Sequence, residues 1–261
     1  MKLIVKKLNY RYAAKSQLVL NDLSFENESG SYWCVAGPNG SGKSTFLKLI
    51  CGLLPTEYMQ GDVSWNGRAL ASWSRVELAR SIAFVPGTLQ TQFSVNVADF
   101  VLQGRYAHSE FWSRPTKTDR IAAEAAVDRV GISRISNAAL TEISAGETQL
   151  ALIARAIAQE PKTLVLDETT ANLDLRYQGR VFELLSELNR VGMSILLVSH
   201  DLNLAAEFCP NALWLRDGRS CAQGSMVETL TTPLMKDLYQ IEDKLEVGKN
   251  PITSRPKVFW R

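Results

Sequence analysis

Gly37-Pro38-Asn39-Gly40-Ser41-Gly42-Lys43-Ser44-Thr45 is the stretch of this sequence that decides its fold. It comes after a short apolar run, Tyr32 to Ala36, and leads into a segment of helical spacing that ends at Ile50. A strand, a glycine-rich turn and then a helix make the phosphate-loop pattern. The glycines allow successive backbone N–H groups to turn inward around a phosphate. The positive end of the adjoining helix favours the same anion. Lys43 has the reach for a β- and a γ-phosphate, and the Ser44 hydroxyl is placed to ligate Mg²⁺. All nine residues, Gly37 through Thr45, are therefore candidates for nucleotide contact.

Upstream of the loop, Leu3 to Leu8 and Leu18 to Phe25 alternate as strands do. Asp62 to Trp65 reads as a strand entering a tight hairpin at Asn66-Gly67. Downstream, from about Asn96 to Ser136, Val97, Phe100, Val101, Ile121, Ala125, Val127 and Val130 have helical spacing, broken at Ser113-Arg114-Pro115. Ala145 to Gln159 is strongly helical. Thr163 to Leu166 then reads as a buried strand, Leu175 to Arg190 as a helix, and Ser194 to Val198 as a second buried strand. Short apolar strands alternating with helices predict a largely parallel sheet covered on both faces. The expected architecture is α/β: a phosphate-loop core on a mainly parallel sheet, an N-terminal antiparallel β subdomain and an inserted helical lobe.

The second chemical constellation is Leu164-Val165-Leu166-Asp167-Glu168. Carboxylates at the carboxyl end of a parallel strand lie in the crevice where such sheets bind ligands. Asp167 is placed to hold Mg²⁺ through water, as a hard oxygen ligand. Glu168 is the candidate general base for an attacking water.

Composition narrows the partners. The formal net charge of the 261 residues is +2, with no concentrated basic stripe, which gives no reason to expect nucleic acid. Cys34, Cys51, Cys209 and Cys221 form no Cys-x-x-Cys pair, so reduced thiols in a cytosolic compartment are expected rather than zinc or a disulfide framework. The longest apolar runs, such as Ile195 to Val198, are strand-sized and far below a membrane span. Any action at a membrane is expected to be that of a peripheral subunit.

The third constellation, Ile143-Ser144-Ala145-Gly146-Glu147-Thr148-Gln149, opens the long helix. The order of phosphate loop, Ser-x-Gly-Glu, Leu-Asp-Glu and Ser199-His200-Asp201 resembles the ATP-binding cassette, from about Leu3 to Ile241. The resemblance implies a single nucleotide-binding domain over 1–261. Residues 1–89 and 150–241 would form the ATPase core, 90–149 the helical and signature lobe, and 242–261 a tail. It further implies that two copies face head to tail, each ATP lying between one loop and the partner's signature segment, Ser144 to Glu147. Tyr12 takes the place of the aromatic residue that stacks on adenine, with Tyr10 as a competitor. His200 matches the switch histidine that contacts the γ-phosphate. Asp174 resembles the loop aspartate that communicates across the dimer. The runs from Leu102 to Tyr106, Ser199 to Asn203 and Gly218 to Gly224 are similar to importers of iron-siderophores, haem and cobalamin. Such ATPases act as homodimers at the cytoplasmic face of the membrane, beneath a multi-helix permease fed by a solute-binding protein. The lobe from Gln90 to Leu140 would grip that permease.

Three residues depart from the family pattern. Gly87 replaces a glutamine that touches Mg²⁺ and water, and Gln90 is a weak substitute as a metal contact. Ala145 replaces the first signature glycine, at a cost of about 1–2 kcal/mol if the position needs positive φ and none otherwise. Thr169 replaces a proline. These changes predict slow or partner-dependent hydrolysis. They leave open two alternatives, a non-transport cassette ATPase and a nucleotide-gated subunit with weak hydrolysis. No role emerges from the sequence for the tail, which carries Lys249, Arg255, Lys257, Phe259, Trp260 and Arg261.

Overall fold

Tyr32 to Ala36 is buried along its whole length in the computed structural model, which describes residues 1–89, 95–108, 114–170, 173–241 and 244–260. In chain order the first elements are β1 (Leu3–Tyr10), β2 (Leu20–Asn27), β3 (Tyr32–Ala36), α1 (Lys43–Ile50), β4 (Met59–Trp65), β5 (Arg68–Ala69), α2 (Arg75–Ser81) and β6 (Ile82–Val85). The helices α3 (Val97–Leu102), α4 (Lys117–Val130) and α5 (Ala145–Ala158) come next. After them stand β7 (Thr163–Asp167), α6 (Leu175–Arg190), β8 (Ser194–Val198), α7 (Leu202–Phe208), β9 (Asn211–Arg216) and β10 (Arg219–Ser225). The chain closes with α8 (Met226–Thr229), α9 (Thr232–Tyr239), β11 (Leu245–Lys249) and β12 (Pro256–Trp260).

Among the described residues the central sheet has six strands in the order β10-β9-β3-β8-β7-β6, parallel except for the β10 edge. A second, antiparallel sheet runs β2-β1-β4-β5. The expected hairpin joins β4 to β5, and both turn residues, Asn66 and Gly67, have positive φ as a two-residue turn of this hand requires.

Each of β3, β6, β7, β8 and β9 feeds two cores. Trp33, Val35, Val165, Leu196, Val198 and Leu213 face α1 and the antiparallel sheet. Cys34, Leu164, Leu166, Ile195, Leu197 and Trp214 face the helices of the opposite layer. That two-sided burial is why these strands read as continuous apolar runs rather than alternating ones. Phe46 on α1 meets Phe25 of β2 edge to face, with ring centroids 5.9 Å apart, and so locks the helix after the loop onto the antiparallel sheet.

Among the described residues from Asn96 to Ser136, two α-helices form, α3 and α4. Thr116 caps α4, accepting from the Asp119 N–H, and the Asp119 carboxylate returns bonds to the Thr116 N–H and hydroxyl. Asp119 also faces Arg105 Nε at 3.1 Å, both side chains being buried. Arg105 Nη1 donates to the carbonyl of Ala158 and to Glu160, each at 2.7 Å, which ties α3 and α4 to the end of α5. In the tail, to which no role was assigned, β11 and β12 pair as a hairpin that packs on α7. Asn203 is bonded in both directions to the backbone of Val258.

The hydrogen bonds from Thr116, with the Arg105 pairing second to them, hold the Asp119 carboxyl below its ordinary range. A carboxyl depressed by folding stabilises the fold above its unfolded value and loses that contribution as pH falls through its folded value. Asp119→Asn should therefore cost about 1.5–3 kcal/mol near neutral pH. In chemical denaturation, the gap from the unaltered chain should narrow as pH falls below the usual carboxylate range.

Candidate functional site

The strand register brings the site together. Val198 of β8 lies beside Val35 of β3 on one side and Asp167 of β7 on the other. The three strands therefore end flush, and the residues just beyond them, Gly37, Ser199-His200 and Glu168, emerge at the same carboxyl edge. Parallel sheets place their ligands in that crevice.

The loop is shaped by glycine. Gly37 has φ 146°, and a β-carbon there would lie 2.0 Å from the Leu215 carbonyl oxygen. Gly42, at φ 97°, caps α1 and accepts from the Phe46 N–H at 2.8 Å. The loop is held from outside by Gly218, whose N–H donates to the Ser41 carbonyl at 3.1 Å. Gly218 belongs to the Asp217-Gly218 turn between β9 and β10, where both residues have positive φ. The sequence signal for this contact was the Asp-Gly dipeptide itself, which marks a hairpin but does not say what it touches.

Lys43 is buried, 4% exposed, and its Nζ donates to the carbonyls of Gly37 and Pro38 at 2.9 Å each. The Ser44 hydroxyl donates to Asp167 Oδ1 at 2.8 Å, joining α1 to β7. Burial pushes the Lys43 ammonium down from its usual range, while Glu168 and Asp167 pull it back. Burial likewise pushes the Asp167 carboxyl up, opposed by the Ser44 hydrogen bond. Both groups carry a desolvation cost as ions, so each gains from an opposite charge brought into the crevice. For Lys43 a polyphosphate fits that need. For the oxygen pair of Ser44 and Asp167 it is met by a small hard cation.

Glu168 comes directly after, with φ 55°, a left-handed backbone that costs a residue bearing a β-carbon about 1–2 kcal/mol. Its Oε1 lies 2.9 Å from His200 Nε2, and with the proton on Nε2 the imidazole donates to the carboxylate. Both side chains remain partly open to solvent. On the far side of the loop the Tyr12 hydroxyl is 2.9 Å from Thr45 Oγ1. Tyr12 is 51% exposed, whereas Tyr10 is 1% exposed and packed edge-on against it. Burial removes Tyr10 as a stacking platform.

Ser144 to Glu147 stand apart from this cluster. Ser144 caps α5, accepting from the Glu147 N–H, and its own N–H and hydroxyl donate to Glu147 Oε2 at 3.0 and 2.8 Å. Its hydrogen bonds among the described residues run to Glu147 and Thr148, none to the loop, the acids or His200. Ser144 and Ala145 are exposed. Ala145 is absent from the residues with positive φ and begins a regular helix, so the strain considered for it does not arise. Gly146 is glycine for a different reason, since a β-carbon would lie 2.5 Å from the ring of Tyr177 on α6. Asp174 caps α6 through the Tyr177 N–H at 3.0 Å. Thr169 is buried, with no hydrogen-bond partner for its hydroxyl among the described residues. Gln90 lies outside the described residues.

A phosphate-loop core, acids at the end of the adjoining strand and a separate Ser-x-Gly-Glu helix cap together define a cassette-type ATP-binding domain. The chain matches the ABC transporter family over residues 20–171. It is 33% identical to the ferric enterobactin transport ATP-binding protein FepC of Escherichia coli, over 92% of this chain and 88% of that one. To the hemin import ATP-binding protein HmuV of Thermobifida fusca it is 32% identical, over 97% and 87%. A putative metal-chelate type ABC transporter, solved in an inward-facing conformation, superposes with a TM-score of 0.85 at 29% identity, covering 99% of this chain and 97% of that one. The chain belongs to the ABC transporter family, as an ATP-binding subunit that hydrolyses ATP.

A methyl group on residue 37 has nowhere to go but into the Leu215 carbonyl. Gly37→Ala should lower ATP affinity at least about tenfold, a loss of about 1.4 kcal/mol or more in equilibrium binding.

Proposed function

We propose that this chain is the motor of an importer for an iron-siderophore, haem or cobalamin-like solute, working as a homodimer on a separate multi-helix permease. The observation that carries the reading is the convergence of Lys43, the Ser44–Asp167 pair and the Glu168–His200 pair at one sheet edge. The names of FepC and HmuV support the solute class. Among the described residues no helix is long and apolar enough to cross a membrane, which suits a peripheral subunit at the cytoplasmic face. A groove lined by Ala98, Asp99, Leu102, Arg120, Ala123 and Val127, between α3 and α4, supports docking of the permease on the helical lobe. A solute-binding protein would act at one remove, and nucleic acid has no place in this scheme.

The chemistry derives from the positions. The loop from Gly37 to Thr45, through the N–H groups of every residue but Pro38, and the Lys43 ammonium hold the phosphates, and Tyr12 offers its exposed ring to adenine. Ser44 and Asp167 would hold a magnesium ion, which when bound would supply neutralisation of phosphate charge. Glu168 takes the proton from the attacking water, and His200 keeps the carboxylate turned toward the phosphate edge. The exposed Ser144 end of α5 from the second copy closes the γ-phosphate side, the N-terminus of that helix adding a favourable dipole. Phosphate release removes the charge that bridges the two copies.

Replacing the base tests the scheme. Glu168→Gln should lower turnover by about 10²–10⁴ while ATP binding persists and holds two copies together. Turnover is read at steady state and assembly by light scattering with ATP. A Glu168→Gln chain as fast as the unaltered one would remove Glu168 from the role.

A further inference from the structure

Gly87 is glycine for want of space rather than for want of conformation. Its φ lies outside the left-handed region, so its backbone shape suits any residue. A β-carbon on it would nonetheless fall 2.7 Å from the carbonyl oxygen of Asp167 and 3.0 Å from that of Glu168. Both are main-chain atoms of the turn that leaves β7, and neither can swing aside as the tip of a side chain does.

The sheet register explains the approach. Val85 of β6 pairs with Leu166 of β7, so two residues further on Gly87 comes level with Glu168. There Glu168 takes its left-handed φ of 55°, and its carboxylate reaches His200 at 2.9 Å. The same turn that lies against residue 87 carries the carboxylate along the edge to His200.

We propose that Gly87 is a positioning residue: its bare α-carbon lets the Asp167–Glu168 turn close against β6, and that closure sets where the Glu168 carboxylate stands. The inference rests on the reading of Glu168 as the general base. It also makes Gly87 a built part of the site rather than a missing glutamine. Restoring the glutamine would force the turn outward and would not restore rate.

The test uses the whole 261-residue chain, alone and in complex with the permease proposed for it. Gly87→Ala, Gly87→Gln and Glu168→Gln are compared for steady-state ATP hydrolysis, equilibrium binding of ATP and thermal unfolding. Gly87→Ala should lose at least tenfold in kcat while KM and ATP affinity stay within twofold, because a β-carbon at residue 87 meets the acid turn rather than the loop or Lys43. Gly87→Gln should be no faster than Gly87→Ala. Turnover by Gly87→Ala at the unaltered rate overturns the proposal. So does Gly87→Gln outpacing the unaltered chain, and so does a parallel loss of ATP binding or folding, which would mark a general structural role. Full activity in Glu168→Gln would instead unseat the base assignment. An inactive Glu168→Gln beside an active Gly87→Ala would leave that assignment standing and remove only the role of Gly87.

Discussion

Val198 sits between Val35 and Asp167, and on that alignment every charged group of the site depends. Parallel strands have evenly spaced bonds, so a shift of one residue between β3, β8 and β7 would turn each later side chain to the other face. The alignment is enforced by burial on both sides. Leu197 and Leu166 fill one core while Val198 and Val165 fill the other, and a slipped register would exchange the two sets. The apolar packing therefore does more than stabilise the fold, since it holds Ser44 within 2.8 Å of Asp167 and Glu168 within 2.9 Å of His200. A surface ion pair is worth little by itself. Here the pairs are consequences of the packing beneath them.

Burial also decides how the charges behave. Lys43 spends its donors on the Gly37 and Pro38 carbonyls, and Asp167 accepts from one hydroxyl. Neutral partners satisfy geometry but return only part of what desolvation costs an ion. The residue pattern thus describes a site that binds charge best when positive and negative charges arrive together, as they do in a metal-bound triphosphate. Glu168 differs, being tethered by an imidazole and partly open, so that water can reach its carboxylate.

Much of this was legible in the sequence because the signals were local. The loop carries its glycines within six positions, the acids end an apolar run, and Ser144 with Glu147 is a capping box recognisable from spacing alone. What was not legible depends on distant contacts. Gly37, Gly87 and Gly146 are the same letter with three different causes: a left-handed backbone, the approach of the acid turn, and the ring of Tyr177. Tyr10 and Tyr12 alternate within one run, and only the packed structure shows that Tyr10 is buried and Tyr12 is held at the loop by Thr45. Periodicity assigns a residue to a face, but it does not say how near the opposing chain comes.

The tail is the clearest case of such distant dependence. From 242 onward the sequence carries basic and aromatic residues, which suit a solvated tail as well as one packed on its own domain. In the fold β11 and β12 pair from Leu245 with Trp260 to Lys249 with Pro256, and the hairpin grips α7 at two points one turn apart. Asn203 takes and gives a backbone bond at Val258, and Glu207 accepts from Asn250 and Thr253. The helix so held begins directly after His200-Asp201, and Asp201 is its cap. The histidine is thus fixed on its N-terminal side by β8 in the core and on its C-terminal side by a helix that the last strand of the chain secures. A side chain that must meet Glu168 at hydrogen-bond distance needs both supports, because a loop anchored at one end leaves its backbone free to turn away.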